Sequence, residues 1–365
     1  MSPTNFKRNL YIHIGLPKTG TSAIQKSLSE NRDALISKFS LLYPKLGEWV
    51  DGSHHGLAFA MGMNPYQKIL SEQSQVKMLE KLQEEIDESG CNNILLSSEC
   101  FHLYNNERFI EFSKAYNVYI ICYLRKTDTY MESLYTQNVQ DPVVKEARCF
   151  KSYIDENSIK VDYLAFLKRW FVLCKQNNFF VKLYDKERSF KGRDLLVGFY
   201  SIFGIDPVLN NFCSNKTVNA SFDPIVSNYK LLLNRVLKKQ SDELVYLLRR
   251  YKQDSSSKGN SNRFLTEELS EKILSLHNES EEELSATFGI DSKSLFCKGG
   301  TGYGLGGETL TGLDVYKISR HIYIHNRQVF MEIEKQAEMF NNTDFPEYDF
   351  DLCYILQEVY KNESS

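Results

Sequence analysis

The chain has 365 residues, 42% hydrophobic and 25% charged, enough to bury a large core as one big domain or two ordinary ones. A formal net charge of −3 gives no global field for gripping nucleic acid or an anionic membrane, so an anionic ligand must be held by a few local cations. There is no apolar run long enough for a membrane span, Met1–Asn9 is too polar for a signal peptide, and the cysteines form no C-x-x-C pair, so a cytoplasmic protein with reduced core thiols is expected.

In chain order, Leu10–Ile14 predicts a short buried strand, then a glycine-bearing turn and a helix from about Thr21 to Leu35. A second strand is expected over 41–43, an amphipathic helix over 76–86 stopped by Gly90, and a third strand over 93–97 that runs into Ser98-Glu99. A helix over 107–115 leads to strand 118–124, apolar throughout and therefore central and parallel. Helices follow at 128–137 and within 144–176, then a strand at 179–184 and a helix over 194–203. Beyond 220 the pattern turns helical, at 223–239, 241–252, 266–276, 280–287, 326–340 and 349–360. A polar stretch at 254–262 and a Gly-rich one at 298–307 interrupt it, and no internal repeat is present.

Alternating strands and helices predict an α/β protein. Its expected form is a P-loop NTPase-like three-layer fold, with a central parallel sheet flanked by helices and a helical C-terminal subdomain. The whole chain, 1–365, is expected to act as one domain, with the P-loop core over 1–215. The helices of 216–365 would complete the acceptor site together with the 43–70 segment.

The turn Gly15-Leu16-Pro17-Lys18-Thr19-Gly20-Thr21-Ser22 carries the chemistry. A strand, a glycine turn and a helix N-terminus together present backbone N–H groups and a partial positive charge to an anion. The spacing fits the Walker frame G-x-x-x-x-G-K-[ST] except that Thr21 stands in the lysine's place and the lysine has moved back to Lys18. An amine is still offered, but from the loop rather than from the helix.

Pro17-Lys18-Thr19-Gly20-Thr21-Ser22 resembles the 5′-phosphosulfate loop of the sulfotransferases that use 3′-phosphoadenosine 5′-phosphosulfate (PAPS), which commonly reads P-K-[ST]-G-T-[ST]. A second element agrees: strand 118–124 ends in Arg125, and Ser133 follows eight residues later. In that family an arginine and a serine so spaced bind the 3′-phosphate, and a guanidinium fork with a helix hydroxyl can converge on one phosphate. The resemblance implies sulfuryl transfer from PAPS to a hydroxyl acceptor, leaving 3′,5′-adenosine bisphosphate and needing no metal. Lys18 would stabilise the leaving phosphate, and Pro17 to Ser22, Arg125 and Ser133 would bind the nucleotide.

An acceptor hydroxyl also needs a base. His54-His55 resembles the histidine segment of several carbohydrate sulfotransferases, and Glu99 stands where parallel sheets present functional groups. The candidates are taken in the order His55, Glu99, His54, and the histidine resemblance favours a carbohydrate acceptor, in a polysaccharide or a glycolipid. The Gly-rich 298–307 stretch, through Lys298, is a further candidate for closing over the nucleotide. Two other readings stay open: a P-loop kinase or NTPase using Mg-ATP, and a sulfotransferase-like binding protein without turnover.

Overall fold

The computed structural model describes residues 7–63, 70–103, 107–157, 161–174, 176–184, 193–212, 222, 224–238, 240–254, 264–276, 281–290, 310–340 and 348–364. Two compact units divide the chain. The first draws on Met1–Lys126, Val161–Asn219 and His277–Phe296, the second on Thr127–Lys160, Ala220–Leu276 and Cys297–Ser365.

From the N-terminus the elements are β1 (Asn9–Ile14), α1 (Thr21–Glu30), α2 (Arg32–Phe39), β2 (Leu41–Leu42), α3 (His55–Ala60), α4 (Glu72–Ser89), β3 (Asn93–Ser98), α5 (Glu107–Ser113) and β4 (Asn117–Arg125). They continue with α6 (Thr127–Gln140), α7 (Phe150–Asn157), α8 (Tyr163–Phe171), β5 (Phe179–Tyr184), α9 (Arg193–Tyr200), α10 (Pro224–Val236), α11 (Asp242–Asp254), α12 (Glu267–Ser275) and α13 (Glu281–Phe288). The last are α14 (Gly312–His325), α15 (Arg327–Ala337) and α16 (Leu352–Ser364).

Among the described residues, the five strands of the first unit form one sheet in the order β2-β3-β1-β4-β5, with every pairing parallel. Successive side chains leave a strand on opposite faces, so each strand feeds two cores. Leu10, Ile12 and Ile14 of β1 join Ile94, Leu96 and Ile120 in one core, with Leu57 of α3, Leu82 of α4, Phe109 of α5 and Trp170 of α8. Leu95, Ile121 and Tyr123 point the other way, against Ile24 and Leu28 of α1, Leu35 of α2 and Phe199 of α9. A sheet buried on both faces explains why its strands read as near-continuous apolar runs. The unit is a three-layer α/β fold of the P-loop type, with central β1 leading straight into the glycine turn and α1.

The expected helix over 21–35 is in fact two, α1 and α2, broken at Asn31, whose side-chain amide donates to the Ser27 carbonyl (2.7 Å). Helix α4 is a turn longer at its start than predicted, because Ser71 caps it by accepting from the Ser74 N–H. It stops at Gly90 in the left-handed region (φ 64°), as predicted.

The second unit is helical in its described residues. Its core gathers Leu232, Leu233 and Val236 of α10, Leu247 and Leu248 of α11, Val315, Ile318 and Ile322 of α14, Phe330 of α15 and Leu356 of α16. Helix α14 starts with a reciprocal capping box between Thr311 and Asp314. No described helix is long and apolar enough to cross a membrane.

Candidate active site

The glycine turn is built from close approaches. Gly15 N–H donates to the Ser98 carbonyl (3.3 Å), latching the start of the turn to the end of β3. A Cβ on Gly15 would lie 2.4 Å from Thr21 Cγ2 and 3.2 Å from Glu99 Cγ, so only glycine lets the turn pass between them. Lys18 (φ 64°) and Gly20 (φ 82°) both adopt the left-handed region, which is costly for lysine.

The hydroxyls of Thr19 and Thr21 both donate to the Leu16 carbonyl, at 2.7 and 3.2 Å, and brace the turn from inside. The backbone N–H groups of Thr19, Gly20, Thr21 and Ser22 meet no hydrogen-bond acceptor among the described residues, and no side chain caps α1. These donors and the positive end of α1 form an anion cradle, with Lys18 on its rim. The cradle fits a phosphate or a phosphosulfate group.

Arg125 ends β4, the strand beside β1. One guanidinium nitrogen donates to the Lys18 carbonyl (3.2 Å), and the Tyr184 ring lies under its central carbon at 5.9 Å. Its own carbonyl accepts from the Tyr163 hydroxyl (2.7 Å). The second cation therefore stands against the turn that carries the first. Ser133 is half-buried on α6, in the second unit. Lys298 and the Gly-rich stretch around it lie outside the described residues.

The three base candidates have different surroundings. His54 is fully buried and uses both ring nitrogens on backbone: Nε2 donates to the Pro44 carbonyl (2.8 Å), and Nδ1 accepts from the Ser97 N–H (3.1 Å). Burial pushes its pKa down to about 4, so it is a neutral strut with no nitrogen left for a substrate. His55, the first residue of α3, shares Nδ1 with the Ser98 hydroxyl (2.7 Å) and the Cys100 thiol (3.4 Å). No described group bonds its Nε2. Burial lowers its pKa, and the nearby Asp51 carboxylate works against that shift.

Glu99 opens a short 3₁₀ turn directly after β3 and is half-buried against Gly15. Its carboxylate has no hydrogen-bond partner among the described residues. Burial pushes its pKa up to about 7, against the pull of the Lys18 ammonium and with the push of Asp51. A carboxylate that titrates near neutrality beside an anion cradle is placed for proton transfer.

Several neighbours of the candidate residues escaped the sequence reading: Ser98 and Cys100 at His55, Asp51 near both base candidates, and Tyr184 under Arg125. Ser98 and Cys100 flank Glu99 and could have been found with it. Tyr184 and Asp51 carry no local signal, because they reach the site only through sheet order and a turn.

No family model matches the sequence. An uncharacterised protein from Archaeoglobus fulgidus is 31% identical over 117 residues, which cover 31% of this chain and 30% of the relative, so the match spans less than a third of that protein. Among solved structures, the crystal structure of a sulfotransferase from Alicyclobacillus acidocaldarius aligns over 78% of this chain and 98% of its own, at 15% identity and a TM-score of 0.42.

Proposed function

We propose that this chain is a sulfotransferase that moves the sulfuryl group of PAPS to a hydroxyl of a carbohydrate acceptor. The observation that carries the reading is the joint placing of Lys18 and Arg125. The lysine sits inside the glycine turn rather than on the helix, and the arginine at the neighbouring strand end is bonded to that lysine's own carbonyl. An ATP-binding turn needs neither the displaced lysine nor an arginine there. A nucleotide with phosphates at both ends of its ribose calls for two cationic points.

In this reading the N–H groups of Thr19 to Ser22 hold the 5′-phosphate, and Pro17 shapes the approach. Lys18 offsets negative charge that develops on the bridging oxygen as the phosphate leaves. Arg125 takes the 3′-phosphate. Transfer at sulfur is an in-line displacement in which positioning and charge compensation dominate.

Glu99 is the base. It adjoins the turn, its carboxylate is unengaged, and its pKa of about 7 suits proton uptake near neutral pH. His55, steadied by Ser98, orients the acceptor hydroxyl.

Radiolabelled PAPS, mixed with the protein and a panel of neutral and acidic oligosaccharides, tests the proposal. Label transfer that persists in EDTA and is lost in Lys18→Ala is expected. Transfer left intact in Lys18→Ala, or phosphoryl transfer from Mg-ATP in its place, would overturn it.

A further inference from the structure

The turn between β2 and α3 is fastened at every point. Arg32 donates to the Tyr43 carbonyl (2.7 Å) and to the Glu48 carboxylate (2.7 Å). Trp49 N–H donates to the Ser53 carbonyl (2.8 Å), Gly52 N–H to the Trp49 carbonyl (2.9 Å) and Gly56 N–H to the Gly47 carbonyl (3.0 Å). Gly52 has φ 85°, and a Cβ there would lie 2.8 Å from the Gln25 carbonyl oxygen.

Yet this ordered turn shows water an indole, Trp49 at 43% exposure, with fully exposed Val50 beside it. Single exposed apolar side chains are ordinary. The neighbours of this one are not. The indole stands perpendicular to the rings of His55 (5.0 Å) and Phe59 (5.7 Å), which stack on each other along α3 (6.4 Å, 10°). It is therefore held on one side by the ring of a residue of the site, with a large part of its surface still exposed. Asp51, two residues on and exposed, carries a charge felt by both His55 and Glu99.

We propose that Trp49 is the acceptor platform, taking the C–H face of an uncharged sugar ring and presenting one of its hydroxyls to His55 and Glu99. The proposal rests on the sulfuryl-transfer reading of the same site. Sugar-ring C–H bonds carry slight positive charge and match the negative face of an indole. A flat side chain fixed by its neighbours gives contact area at little cost in conformational entropy. Exposed Asp51, two residues along the turn, puts negative charge beside the indole, which disfavours uronic acids and already sulfated rings and accepts neutral polyols.

Calorimetric titration with three neutral trisaccharides (cellotriose, maltotriose and chitotriose) and with acidic trigalacturonate tests the assignment. Trp170, the other tryptophan, is fully buried, so a sugar-induced change in indole emission reports Trp49. At least one neutral trisaccharide is expected to bind, with affinity falling about 10-fold or more in Trp49→Ala and within about 3-fold of wild type in Trp49→Phe. Three results would each overturn the proposal: no neutral trisaccharide bound, trigalacturonate bound as tightly, or affinity unchanged in Trp49→Ala. Titration of 3′,5′-adenosine bisphosphate on the same samples separates the two readings. Sugar binding without bisphosphate binding sinks sulfuryl transfer and leaves the platform, while the converse sinks the platform alone.

Discussion

Glu99 and Lys18 each accept a local cost. The carboxyl of Glu99 has its pKa raised by burial from 4.5 to about 7, so between those values the folded chain binds more protons than the unfolded one, and this contribution to stability falls as pH rises. Above pH 7 the cost is fully present. Glu99→Gln should therefore raise the unfolding free energy measured by urea titration at pH 8, by about 1–2 kcal/mol after discounting for partial exposure, and leave it unchanged at pH 4. The same carboxyl should give the pH–rate profile a limb near 7 that is absent in Glu99→Gln. A limb below 6.5 that disappears in His55→Gln would move the base to the histidine. At Lys18 the left-handed backbone adds a second test. Lys18→Ala and Lys18→Gly should both lose turnover, but the glycine variant should be more stable than the alanine one by about 1 kcal/mol.

At the scale of elements, the glycine turn is defined by what fits between β1, β3 and α1. Gly15→Ala would push a methyl group into Thr21, whose stiff side chain is tied to Leu16, and against Glu99. The substitution should cost about 1–3 kcal/mol of stability in a denaturant titration and weaken nucleotide binding by displacing the cradle. Helix α10 presents the opposite case, a buried lysine in the second unit. Lys230 is fully buried and donates to the Val139 carbonyl (3.1 Å), Asn234 Oδ1 (2.5 Å) and Gln240 Oε1 (2.5 Å). Burial lowers its pKa to about 7, so its ammonium costs stability fully below that pH and progressively less as pH rises toward 10.5. The acceptors at Val139 and Asn234 keep other donors, from Asn234 and Gln240. Lys230→Met should therefore stabilise the protein by about 1–3 kcal/mol at pH 6 and by much less at pH 10.

For the molecule as a whole, what the sequence made legible depends on how local each signal is. The strands β1, β3, β4 and β5 and the glycine turn follow from apolar runs and spacing, and parallel order follows from the helices between them. Helix α3 was not foreseen, since its six residues are too few to show a period, and neither was α14. The apolar period of α14 at Val315, Ile318 and Ile322 and its Thr311–Asp314 cap are in the sequence, but a Gly-rich stretch precedes them and masks the start. Lys18, Arg125 and Glu99 were readable because each sits at a strand end or in the turn. The different surroundings of His54 and His55 were not readable, because Pro44 and Ser97 reach His54 only once β3 lies beside the turn.

The most direct test of the central claim is a thermal-shift titration with 3′,5′-adenosine bisphosphate, set against ATP and ADP with and without Mg²⁺. A ligand bound only by the folded state at a hundred times its dissociation constant adds about 2.7 kcal/mol, an easily measured rise. The expected result is stabilisation by the bisphosphate without metal, abolished in Arg125→Ala. Stabilisation by Mg-ATP alone, or a bisphosphate effect that survives the loss of Arg125, would contradict the account.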